Sequence, residues 1–125
     1  MKKILILLLS FAVFSCTKKD VEPELSAQVE GTYQVYYVEL FGDSINLPIG
    51  GVSSSIQLLK VSENKVNFIF TINDNGDKTT ETSTFELKKN GDDIEIYEDG
   101  EKAGFVRGTL FEYNLDDEVI IKAKK

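Results

Sequence analysis

The side chains able to do chemistry are few, and their types exclude more than they offer. There is no histidine, so serine or cysteine nucleophiles would lack the imidazole that takes their proton in the usual triads and dyads. Carboxylates are plentiful, but the adjacent pairs Asp92-Asp93 and Asp116-Asp117 fall in turn-like sequence, where nothing raises a pKa for general-acid work. Asn73-Asp74-Asn75-Gly76-Asp77 invites a calcium reading. An EF-hand register with Gly76 sixth puts Thr71 first and Thr82 twelfth, where Asp and Glu are needed. That register fails, leaving at most a loose contact by Asp74 and Asp77 in what reads by default as a hairpin turn. The expectation is a protein that is not an enzyme and uses no metal or cofactor. One reactive group is left, the thiol of Cys16, the sole cysteine.

Cys16 closes a distinctive leader. Lys2 and Lys3 give a positive start, Ile4 to Phe14 is apolar except for Ser10, and Ser15 precedes the cysteine. A charged region, a short apolar region and a small residue before the cut are the layout of a secretory signal, removed on export. The apolar run of eleven residues is shorter than the ~20 needed to span a bilayer. A buried core helix would need a polar face, and Ile4 to Leu9 has none.

Val13-Phe14-Ser15-Cys16 resembles a bacterial lipobox of the relaxed Ser-Cys kind typical of the Bacteroidetes group. The resemblance implies that the Cys16 thiol receives a diacylglyceryl group and that the new amino terminus is acylated. With ~0.8 kcal/mol from each buried methylene, two or three acyl chains hold a protein on a membrane where one is marginal. The implied location is the cell envelope, lipid-anchored, at the outer membrane.

The organisation expected is 1–15 leader, 16–28 lipidated cysteine and flexible tether, and 29–125 a single folded domain. The tether reading rests on polar, charged residues and Pro23, which offer little apolar surface to bury. Loss of Lys2 and Lys3 leaves 12 basic residues against 21 acidic ones, a net charge of 12 − 21 = −9. That balance argues against nucleic acid or anionic lipid as partners. With no second cysteine there is no intrachain disulfide, and core packing must carry the fold.

From Gly31 onward the pattern is all β. Strands are expected at 32–41, 54–61, 65–72, 78–88, 93–97, 102–107, 109–113 and 118–124. The clearest alternation is Val66, Phe68, Phe70 and Ile72 on one face against Asn67, Thr71 and Asn73 on the other. Apolar residues on both phases of 32–41 point to a bulge or a strand covered on both faces. Threonine-rich 79–84 reads as a partly exposed strand. Asn75-Gly76, Asn90-Gly91 and Asp99-Gly100 are tight-hairpin signals. Strand, tight turn, strand, repeated, predicts an antiparallel up-and-down meander of about eight strands, able to hide its edges by closing into a barrel; a flattened sandwich is the alternative. The one long connection, 42–53, carries Ile45, Leu47 and Ile49 and reads either as a loop that plugs one barrel end or as a lid over a ligand mouth.

Tyr33, Phe68, Phe70, Phe85, Phe105 and Tyr113 are candidates to line a ligand cavity or simply to fill the core, because eight strands leave room for side chains or for one small ligand. Arg107 shares a face with Ala103 and Phe105. Facing inward it would meet a ligand carboxylate or a buried Glu; facing outward it is a surface charge.

Glu30-Gly31-Thr32-Tyr33 resembles the Gly-x-Trp opening of lipocalins and bacterial lipocalin-like lipoproteins, with Tyr33 in the aromatic position. The long first loop followed by short hairpins is similar too. The resemblance implies an eight-stranded lipocalin-like barrel that binds a small apolar molecule, and a late arginine, for which Arg107 is the candidate, stacked over the aromatic. The other expectation is a filled barrel whose loops hold another envelope protein.

Overall fold

A computed structural model describes residues 23–115 and 118–125. The leader, Cys16 and Asp116-Asp117 lie outside the described residues. A short helix α1 (Leu25–Val29) leads into β1 (Gly31–Leu40), β2 (Asp43–Asn46), β3 (Val52–Ser62), β4 (Lys65–Asp74), β5 (Asp77–Asn90), β6 (Asp93–Glu98), β7 (Glu101–Arg107), β8 (Leu110–Leu115) and β9 (Val119–Lys124). Each strand pairs antiparallel with its neighbour in the order β2-β1-β3-β4-β5-β6-β7-β8-β9, and β1 also pairs with β9. Eight strands therefore close into a barrel, as the alternation predicts, and β2 is a ninth strand attached to the outer half of β1. Closure leaves the barrel without the unpaired edges of an open sheet where neighbours meet in full.

The inward phase is the apolar one. Tyr33, Ile56, Leu58, Val66, Phe85 and Ile96 are fully buried, and burying a large apolar side chain stabilises by about 1.5–3 kcal/mol. In β1 the phase changes mid-strand. Val35 pairs with Ala123 and Tyr37 with Lys122, so Tyr36 is an extra residue in the ladder with β9. This is the bulge expected from the doubled apolar phase: it lets Tyr33 and Val35 face inward below it, with Val38 and Leu40 on the cavity wall above.

One end of the barrel is stoppered by α1. Five residues are too few for a helix to stand alone, and tertiary contacts hold this one. Val29 and Ser26 are completely buried. The Ser26 amide donates to the Glu63 carbonyl at 3.0 Å, and Glu24 is ion-paired with Lys60. The Tyr33 hydroxyl donates to the Val29 carbonyl at 2.7 Å. The tether expected to reach residue 28 is corrected here: residues 25–28 belong to the folded unit, because Val29 supplies the apolar plug that the polar sequence around Pro23 conceals.

Burial pushes the Tyr33 phenol up to about 12 from its ordinary 10.0. The folded state thus keeps this phenol neutral where the unfolded chain ionises it. Its contribution is complete below pH 10 and drains away as pH climbs toward 12. Tyr33→Phe is expected to cost about 1 kcal/mol at neutral pH, through the unpaired Val29 carbonyl, and to weaken the alkaline loss of strand circular dichroism over that interval. An unchanged alkaline profile would show that another group governs it.

Candidate functional site

The opposite end of the barrel is built differently. β5 runs beside β4 over residues 77–86 but meets β6 only over 86–90. The β4–β5 hairpin therefore stands above the shorter β6 to β9 wall, and the threonine-rich part of β5 is exposed, as expected. Across the barrel, β1 pairs with β3 over 31–34 and then with β2 over 37–40. The long connection strengthens the split between β1 and β3 without filling the barrel. The Leu47 amide donates to the Tyr36 carbonyl at 3.0 Å, and Ile49 and Val52 exchange backbone hydrogen bonds.

A cavity of about 580 Å³ opens at this end, within the range of small-molecule pockets. Phe68, Phe70 and Ile72 of β4, Phe85 of β5, Tyr113 of β8, and Val119 and Ile121 of β9 line it. Val38, Leu40, Ile45, Leu47 and Val52 complete the apolar wall. Polar groups are few. The buried Ser54 hydroxyl donates to the Thr71 carbonyl at 2.8 Å, and the Tyr113 hydroxyl donates to a Glu98 carboxylate oxygen at 3.3 Å. Glu81, Ser83 and Glu118 finish the lining.

The floor is an aromatic stack. Phe68 lies 4.8 Å from Phe85, 5.9 Å from Phe111 and 6.0 Å from Tyr113, centroid to centroid. Offset contacts of this kind add about 0.5–1.5 kcal/mol per pair beyond area burial. Phe111 carries the stack down to Tyr33 at 5.7 Å.

The structure thus brings Phe68, Phe70, Phe85 and Tyr113 together at the cavity. Tyr33 sits beneath it, in the core above α1. Phe105 and Arg107 are corrections, because both stand away from the cavity lining. Inward positions on β7 fall to Gly104 and Val106, which pair with Ile96 and Ile94. Arg107 is exposed, 5.4 Å from the Phe105 ring, and clasps Asp93 through Nε at 2.5 Å and Nη2 at 3.0 Å. This clasp holds the Asp93 carboxyl below its ordinary range. Nor does Arg107 cover Tyr33. The cation over that ring is Lys125, whose Nζ is 5.1 Å from the centroid, a cation–π distance. Gly31 makes room for it: a Cβ there would lie 3.0 Å from Lys125 Cε. Arg107→Ala is accordingly expected to leave the affinity of an apolar probe unchanged and to move the urea midpoint little. A probe affinity reduced severalfold would place Arg107 in the site after all.

Sequence reasoning missed the β1 and β9 wall and the acidic lip; of the long connection, Ile45 and Leu47 border the cavity. The lip was within reach: counting back from Phe85 in steps of two gives Ser83 and Glu81 on the same inward face.

Fold and site define a small, closed antiparallel barrel, stoppered at one end and holding an apolar cavity at the other. Comparison with protein-family models, curated proteins and solved structures gave no match.

Proposed function

We propose that this protein is a lipid-anchored, lipocalin-like binding module that holds a small apolar ligand in the cell envelope, at the outer membrane, without catalysing a reaction on it. The observation that carries the reading is the one-ended cavity of about 580 Å³ with its mostly apolar wall. The anchor reading is supported by the leader and Val13-Phe14-Ser15-Cys16, and the lipocalin-like reading by the Gly31/Tyr33 opening with a cation over the aromatic.

Native mass spectrometry of the purified full chain, beside a denatured control, tests ligand binding. A stoichiometric extra mass lost on denaturation, or saturable binding of Nile red, is expected. A bare chain that binds no apolar probe would end the carrier reading. Incorporation of a palmitate analogue that Cys16→Ser abolishes is the expected result for the anchor, and labelling that survives the substitution would refute it.

A second reading, an interaction module for another envelope protein, is favoured by the apolar rim on the β1–β2 side. Phe41 is 76% exposed, and Leu40, Ile45 and Ile49 about half exposed. A protein co-purifying through Phe41 and Ile49, with an empty cavity, would select it.

A further inference from the structure

We propose that the cavity's ligand is a cationic amphiphile: an apolar body among Phe68, Phe70 and Ile72, with a protonated amine at the mouth. The inference rests on the reading that the cavity binds a ligand, and names its class.

The lining carries charge of one sign only. Its charged residues are Glu81, Glu98 and Glu118, with no lysine or arginine among them. Glu81 and Glu98 lie on strands that bound the cavity and Glu118 in the turn before β9; all three border the mouth, with Glu81 and Glu118 exposed. Glu81 pairs in register with Phe70, and both belong to the lining. Glu98 ends β6 where β5 runs on above it, so Glu81 and Glu98 flank the notch between those strands. Glu118 stands on the β9 side, and its backbone carbonyl accepts the Phe41 amide at 2.9 Å.

The carboxylates come from three separate parts of the rim. Among the described residues, no group of three or more His, Cys, Asp or Glu side chains is placed to hold a metal ion. An array spread around an apolar mouth suits a diffuse cation that remains half solvated while its body is buried. Such a mouth also focuses negative potential and draws cations toward it, and the chain's formal charge of −7 adds a field of the same sign. A fatty acid would bring its own carboxylate beside three like charges, with hydroxyls of Ser54, Ser83 and Tyr113 as the side-chain donors in the lining. A wholly apolar guest would bring nothing to offset the charge of the rim carboxylates.

The test is isothermal titration of the purified full chain with dodecylamine, dodecanol and dodecanoate, each below its micellar concentration, at neutral pH and low salt. The three share a tail and differ in head charge. Dodecylamine is expected to bind roughly tenfold tighter than dodecanol, and dodecanoate more weakly than either. Raising the salt should shrink the amine's advantage. The combined variant Glu81→Gln, Glu98→Gln, Glu118→Gln should abolish the amine's advantage over the alcohol. An amine no tighter than the alcohol overturns the inference and leaves the binding reading standing. So does an amine preference that is insensitive to salt, a result read on the unaltered protein should the combined variant fold poorly. Failure of all three to bind overturns the binding reading itself.

Discussion

Gly104→Ala is expected to destabilise the barrel by about 3 kcal/mol or more, at the upper end of overpacking effects. Gly104 pairs with Tyr113 across β7 and β8. A Cβ placed on it would lie 1.9 Å from the Glu112 carbonyl oxygen and 3.0 Å from the Tyr113 Cα. Both obstacles are backbone, so no change of side-chain rotamer can relieve them. The ladder must open, and the hydrogen bonds between β7 and β8 open with it. Small domains hold only about 5–15 kcal/mol in total, and each kcal/mol moves the midpoint temperature by about 4–8 °C at this size. A fall of more than about 10 °C should follow, read by circular dichroism and by tyrosine fluorescence, since the chain has no tryptophan. Because Tyr113 is also a cavity wall, probe affinity should fall in the same variant. A midpoint within a few degrees of the parent would mean that β7 and β8 separate more easily than their register implies.

The second large effect is Phe111→Ala, expected to cost about 4–5 kcal/mol, with Phe68→Ala nearer 3. The rings are alike and 5.9 Å apart, but their surroundings differ. Phe111 is 1% exposed and closed in between Tyr33 and Phe68. Its removal leaves a sealed void that neighbouring rings can only partly fill. Phe68 borders the existing cavity, so its removal enlarges a space that already communicates with the mouth. Urea unfolding of the two variants measures the difference. Equal costs would argue that the cavity collapses in the free protein, and would weaken the case for a preformed binding site.

Much of this barrel could be read from alternation. Val66, Phe68, Phe70 and Ile72 take the inward phase assigned to them, and Asn75, Gly76, Asp99 and Gly100 occupy tight turns with positive φ. What escaped has physical causes. Helix α1 is too short to show a helical period, and apart from the nearby Tyr33 its contacts run to β3 and β5, distant in sequence. Strand β2 is four exposed residues that pair only with β1. On β7 either phase looks apolar, Ala103 and Phe105 or Gly104 and Val106. The choice is made by the register shift that leaves Ala103 without a partner on β6, and by the β8 backbone, which tolerates only glycine at 104. Alternation gives a strand two faces without saying which is inner when both are apolar. That ambiguity left the face of Arg107 open. The cation over Tyr33 could not be seen because Lys125 reaches that ring only once the barrel closes.

Closure itself has a kinetic corollary. Seven of the eight junctions in the ring join strands that follow one another in the barrel, and one, β1 with β9, joins its two extremes. The hairpins can zip locally, whereas that last ladder must wait until nearly the whole domain is in place, the kind of non-local pairing that slows folding. Until then β1 and β9 both carry bare edges. A second molecule can offer its own β1 to a waiting β9, so reciprocal strand exchange is the expected route to a misassembled dimer when the protein refolds at high concentration.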